Sequence, residues 1–311
     1  MKRLFIGIVL ILAGCSDNFN PNGEYQKKLI VYAVIDASTD KQFIRVYSTF
    51  SPEEYNPLTP SPNKEISNAS VKIVDGKVSH NFHDTLITVN DGSAGTRQVR
   101  AYVHQGFQPV EEKLYTLSVY STGFDTAMSS MVGIYPGDIL PGDITLLSKP
   151  STKKYIPLRV FLGKNAHAYL PKISLEYVVG NDTLIREVPF VVMKDEFGHV
   201  TKRIYPNIAF RDASSNIDGN YEMIYFESAA YIAAIADIRQ ENSTSVKFRR
   251  AILTLIQFDK GLYTYYSVTN SFGGAATIRL DEPDYTNINN GFGIFGMMTK
   301  LERSYGVPSE L

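Results

Sequence analysis

The chain has no tryptophan and only one cysteine, Cys15, among its 311 residues. A single cysteine excludes an internal disulfide and any zinc site built from a cluster of thiolates. An excess of one charge sign is missing too, since 31 basic side chains meet 32 acidic ones. That balance offers no bulk attraction to a phosphate backbone, so nucleic acid is not an expected partner. No apolar run reaches the ~20 residues that a membrane-crossing helix needs. The apolar fraction of 44% is nevertheless too high for a disordered chain. The length fits two domains, or one large one, burying roughly three quarters of the unfolded surface. The absence of tryptophan argues against a carbohydrate platform. The 20 tyrosines suit strands and protein interfaces, because each ring has an apolar body and a polar tip.

The lone cysteine sits in a specific context. Lys2 and Arg3 form a short positive region, and Leu4 to Leu12 is apolar apart from Gly7. Leu12-Ala13-Gly14-Cys15 ends this run and resembles the bacterial lipobox. On that resemblance residues 1–14 are a lipoprotein signal peptide, with Leu12, Ala13 and Gly14 recognised by the signal peptidase and Cys15 lipidated. The competing readings are an ordinary N-terminal strand or a secretory signal with a chance cysteine. Residues 15–28 are polar, rich in Asn, Pro and Gly, and read as a lipidated flexible tether. Cleavage leaves 297 residues, with 29 basic against 32 acidic side chains and a net charge of −3. Two or more acyl chains anchor stably where one is marginal, so the expected partner of acylated Cys15 is outer-membrane lipid. Ser16 fits outer-membrane sorting, and Asp17 resembles the acidic surface-export signal of Bacteroidetes lipoproteins. The expected location is therefore the outer membrane, with the cell surface preferred to the periplasmic face.

From Leu29 onward the chain reads as mainly β. Leu29 to Ile35, Gln42 to Phe50, Ala69 to Val74, Arg97 to His104 and Lys113 to Ser121 are β-branched, aromatic or alternating, and Asp75-Gly76 and Asn90 to Gly95 are turn clusters. This pattern predicts an immunoglobulin-like β-sandwich domain over residues 29–134. Two Pro-Gly-Asp turns, at Pro136 to Asp138 and Pro141 to Asp143, predict a linker over residues 135–144. A second β-rich domain with one or two short helices is expected over residues 145–311. Its strands are Tyr155 to Leu162, Tyr169 to Val179, Thr183 to Met193, His199 to Tyr205 and Val246 to Phe258. Ser228 to Arg239 is alanine-rich with helical apolar spacing. Asp259 to Ser271 suits a strand by composition, but the spacing of Leu262, Tyr265, Tyr266 and Thr269 behind Asp259 as N-cap favours a helix.

The most distinctive stretch lies near the C-terminus. Asp281-Glu282-Pro283 precedes Thr286-Asn287-Ile288-Asn289-Asn290-Gly291-Phe292-Gly293-Ile294-Phe295-Gly296. This resembles the closing motif of a Bacteroidetes outer-membrane lipoprotein family, the domain of unknown function 4249. Phe19-Asn20-Pro21 in the tether, the Ala69 to Ile73 strand and the Lys113 to Val119 strand look like further family motifs. The chain departs from the pattern at Glu111-Glu112-Lys113, where the family places a glycine-lysine pair, and so resembles a divergent member. The resemblance implies a role beside a TonB-dependent transporter and carries no catalytic residues. The physical reading of Asn287, Asn290, Gly291, Gly293, Phe295 and Gly296 is a structural closing strand, with asparagine in left-handed turn geometry and glycine allowing close backbone approach. Gly291-x-Gly293-x-x-Gly296 matches a dinucleotide string in form only, since no strand-turn-helix unit surrounds it.

Candidate chemistry is sparse. His80 and His83 are the only close histidine pair, and three positions apart on a strand they face opposite sides. Ser129-Ser130 and Ser214-Ser215 have no local base, and Asp36, Asp40, Asp212 and Asp218 lack calcium-loop spacing. No catalytic residue, metal or cofactor is expected. The leading expectation is a non-enzymatic, outer-membrane-anchored accessory or binding module. The alternatives are a surface hydrolase or carbohydrate-active enzyme, and a structural or adhesive surface protein.

Overall fold

The computed structural model describes residues 26–49, 64–90, 95–210, 221–242, 245–270 and 285–311. The fold is mainly β, as the alternation of apolar residues predicts. The first strands are β1 (Leu29–Asp36), β2 (Lys41–Ser48), β3 (Ser70–Asp75), β4 (Val78–Asn90), β5 (Thr96–Gln105), β6 (Leu114–Tyr120) and β7 (Ala127–Val132). There follow β8 (Asp138–Pro141), the single-turn α1 (Thr145–Ser148), β9 (Tyr155–Phe161), β10 (Ala168–Val179) and β11 (Asp182–Glu187). Next come β12 (Val191–Lys194), β13 (Val200–Ile204), β14 (Ala209–Phe210), β15 (Glu222–Glu227) and α2 (Ser228–Glu241). The last are β16 (Val246–Phe258), α3 (Lys260–Asn270) and β17 (Gly291–Gly306).

One large sheet runs in the order β11-β10-β16-β17-β1-β2-β5-β4-β3-β6-β7, with β14 also bonded to β10. β17 is its keystone. Its first half pairs in parallel with β1, from Leu29↔Gly291 to Asp36↔Met298, and its second half pairs antiparallel with β16, from Met298↔Phe258 to Gly306↔Arg250. The half of the chain expected as an immunoglobulin-like sandwich is a curled run of this sheet. β4 makes the corner: residues 78–82 pair with β3 and residues 83–90 with β5. The far end comes back to the start, where Met128 of β7 bridges to Asn289 just ahead of β17.

Each face follows from the two-residue period of a strand. Leu29, Val31, Ala33 and Ile35 of β1 are fully buried and meet Ile44, Ile73, Leu117, Phe295 and Met297 inside the curl. A second core joins Leu158, Ile173, Leu253 and Leu255 to the inner side of α2, where Tyr231 donates to the Leu147 carbonyl at 2.9 Å. A third, smaller cluster of Ala168, Phe258, Leu262 and Ile294 fixes α3 to the outer side of β17. Burial of these side chains stabilises by about 1.5–3 kcal/mol each.

The segment 135–144, expected to link, contains β8, which pairs with β9 from Asp138↔Phe161 to Pro141↔Leu158. The strand expected over Thr183 to Met193 divides into β11 and β12, and Pro189, with no N–H to give a ladder, lies in the gap. Both longer helices lie where their spacing places them. Asp259 caps α3, with Oδ1 accepting the Leu262 N–H at 2.9 Å. No helix among the described residues is long and apolar enough to cross a membrane.

Candidate functional site

The family-like motif forms a compact knot. Asn290 takes φ 59° at the turn into β17, and its Nδ2 donates to the Thr126 carbonyl at 3.3 Å. The Asn287 amide imitates a neighbouring strand: Nδ2 donates to the Phe295 carbonyl at 2.7 Å, and Oδ1 accepts the Phe295 N–H at 2.8 Å. Ser129 Oγ donates to the Asn287 carbonyl at 2.7 Å. Phe295 is thereby held with its ring wholly buried in the first core. Gly293 lies at φ 105°, and a Cβ there would overlap the Val31 carbonyl. A Cβ on Gly296 would stand 2.7 Å from Leu262 Cγ and 2.8 Å from Asp259 Oδ1. The small residues of the motif therefore let β1 approach one side of β17 and the first turn of α3 approach the other.

A groove of ≈ 420 Å³ opens beside this knot, a size within the range of small-ligand sites. Leu114, Ser130 and Val132 line it from β6 and β7, Asn165 and His167 from the loop before β10, and Asp259, Lys260 and Gly261 from the start of α3. Tyr285 and Asn287 complete it. Asp259 is only 6% exposed, and burial pushes its carboxyl up to about 6 against the opposing pull of backbone donors at Leu262, Met297 and Gly261. His167, Lys260 and Tyr285 are the other titratable groups of the lining. Among the described residues Asp259 is the one carboxylate of that lining. The arrangement offers hydrogen-bond donors and acceptors beside an apolar lip.

The other candidates lie apart from one another. His80 stacks on Phe107 with ring centroids 4.1 Å apart and contacts Asp75 Oδ2 at 3.2 Å, whereas His83 is exposed on the other side of β4. Asp75 also takes Lys113 Nζ at 2.9 Å, and this bond is the main reason its carboxyl is held below the usual range. Burial lowers His104 nearby. Among the described residues no three His, Cys, Asp or Glu side chains are grouped closely enough to hold a metal ion. Asp36 accepts the Ser38 N–H and Asp40 accepts from Gln105, both local surface contacts. Asp212, Asp218, Ser214 and Ser215 lie outside the described residues, as do Leu12, Ala13, Gly14 and Cys15.

Sequence reasoning found Asp259 as a helix cap and the motif as a closing strand, but not the groove between them. Its walls come from positions 114, 130, 165, 259 and 285, which no local window joins. The only signal was the motif itself, whose glycines mark close packing. No curated protein matches the chain. A family model does match, over residues 16–304. The chain belongs to that family, whose description is a domain of unknown function (DUF4249).

Proposed function

We propose that the chain is a lipid-anchored accessory binding module of the outer membrane, held by acylated Cys15 and working without catalysis beside a TonB-dependent transporter. The observation that carries this reading is the order of residues at the N-terminus: two cations, a short apolar run, then Leu12-Ala13-Gly14-Cys15 and a polar tether. β1 begins at Leu29, so about a dozen residues of sequence separate Cys15 from the sheet. The transporter association follows from the family resemblance, and the groove beside α3 supports a binding role. The test is Cys15→Ser in the native host. The variant is expected to leave the membrane fraction and to lose palmitate label, and mild-detergent purification of the native protein is expected to retain a transporter. Label persisting on the variant, or purification without a transporter, sinks the corresponding half of the proposal.

A further inference from the structure

Among the described residues one isolated backbone bridge joins the far end of the curled sheet to its start. Met128 and Asn289 exchange both of their backbone bonds, at 3.0 and 2.7 Å. Along an antiparallel strand, the residues that bond to one side recur at every second position. The N–H and C=O of Ser130 and Val132 are therefore aimed the same way as those of Met128, away from β6. The other side of the strand has the matching phase, for the Gly133 N–H donates to the Lys113 carbonyl of the β6 side at 2.9 Å. Beyond Asn289 the opposing chain leaves the ladder. The Asn287 carbonyl takes the Ser129 hydroxyl in place of a backbone donor, and the Asn287 amide is committed to Phe295. Among the described residues no backbone group pairs with Ser130 or Val132 on this side.

This bare edge forms one wall of the groove. Its far end is closed where Asn165 Nδ2 reaches the Gly133 carbonyl at 3.4 Å. Four residues, 129–132, lie between the two closures, and at ~3.4 Å per residue they span ~14 Å, room for a short stretch of extended chain. The opposite edge of the sheet is guarded by charge: on β11, Arg186 pairs with Glu241 and Glu187 with Lys172. β7 reads Ala-Met-Ser-Ser-Met-Val and carries neither a charge nor a proline. Alternating donors and acceptors at this spacing are matched by another extended backbone, and not by a compact solute.

We propose that the edge of β7 is a strand-addition site, which takes an extended and largely uncharged segment of a partner polypeptide onto Ser130 and Val132. Side chains of the added strand alternate. One set lies on the face that carries the exposed Leu114 and Val132. The inference goes beyond the anchoring proposal and is independent of it, since a chain with serine at position 15 keeps the same edge.

Residue-resolved amide hydrogen exchange on the full mature chain tests it, with the peptide acetyl-Thr-Val-Thr-Val-Thr-Ser-amide as probe. In the free protein the Ser130 and Val132 amides are expected to exchange about tenfold or more faster than those of Ser129 and Met131. The peptide at about 1 mM is expected to slow them to the level of their neighbours. Ser130→Pro removes an N–H that the β6 ladder does not use, so it is expected to weaken peptide binding roughly tenfold while leaving the fold intact. If that variant fails to fold, N-methylation of alternate peptide residues probes the same bonds from the other partner and is expected to abolish binding. The proposal is overturned if Ser130 and Val132 are as protected as Met131 before any peptide is added. Such protection would mean that the edge is already paired. It is overturned equally if the peptide leaves their exchange unchanged.

Discussion

The two halves of β17 belong to one strand but meet their neighbours on different terms. Gly291 to Gly296 lies parallel to β1, and glycine fills three of its six positions. At each of the three, a side chain would strike β1, α3 or Ile288. Met298 to Gly306 pairs antiparallel with β16 and carries ordinary side chains, with Arg303 clamped on Asp138 at 3.0 Å and Lys300 on Glu302 at 2.6 Å. Gly306 has no atom within 4 Å of the place where a Cβ would stand. The same residue type is a packing requirement in one half and an open position in the other. The difference comes from crowding: the first half is covered on both faces, by the interior of the curl and by α3, while the second has one face toward solvent.

The comparison is broken most severely at Gly293. Gly293→Ala places a methyl on the Val31 carbonyl at a backbone angle that side chains rarely adopt. The expected loss is more than about 4 kcal/mol of stability, or failure to fold, read from urea denaturation. A midpoint close to that of the native chain would show that β1 and β17 can separate without cost.

The next largest effect concerns Asp259, which is pressed between α3 and the glycine half. Its folded carboxyl stands at about 6 against 3.8 for a solvated one. The folded state thus holds the proton more tightly than the unfolded state. The associated stability is fully present below about pH 4 and is lost as pH rises through about 6, an upper limit of roughly 3 kcal/mol. Asp259→Asn retains an oxygen for the Leu262 N–H but has no proton to lose. Its unfolding free energy is expected to stay flatter between pH 4 and 7 than that of the native chain. Identical slopes for the two proteins would remove Asp259 as the cause. The smallest effect is expected at Gly306→Ala, within about 0.5 kcal/mol of the native chain by the same denaturation. A loss as large as that at Gly293 would erase the distinction between the halves.

Much of the fold was legible locally. β1, β3 and β6 alternate cleanly, Asp75-Gly76 turns with Gly76 at φ 64°, and α2 shows its period in Tyr231, Ile235 and Ile238. β4 was not picked out as an element, because Val78 to Asn90 mixes His, Asn and Asp with its apolar residues and gains its strand character from the ladders that both neighbours supply. β7 is short and built of Ala, Ser, Met and Val, with little strand propensity of its own. The candidate site was legible only in its motif residues. The role of Asn287 depends on reaching Phe295, and the burial of Asp259 depends on Gly296 being small, so both are contacts between elements.

Composition and local pattern settled the β class, the absence of any internal disulfide, the positions of the main turns and both longer helices, and the family motif. These properties follow from side-chain period, turn chemistry and capping, each of which acts within a few residues. The parallel union of β1 with β17, the Met128–Asn289 bridge that closes the curl, the groove and the bare edge of β7 emerged with the packed chain. They join positions as far apart as Ser38 and Lys300, 262 residues in sequence, whose backbone and hydroxyl groups bond at 2.7 Å. Pairing over such a distance depends on the shape that all the intervening strands make together, and no single window contains it.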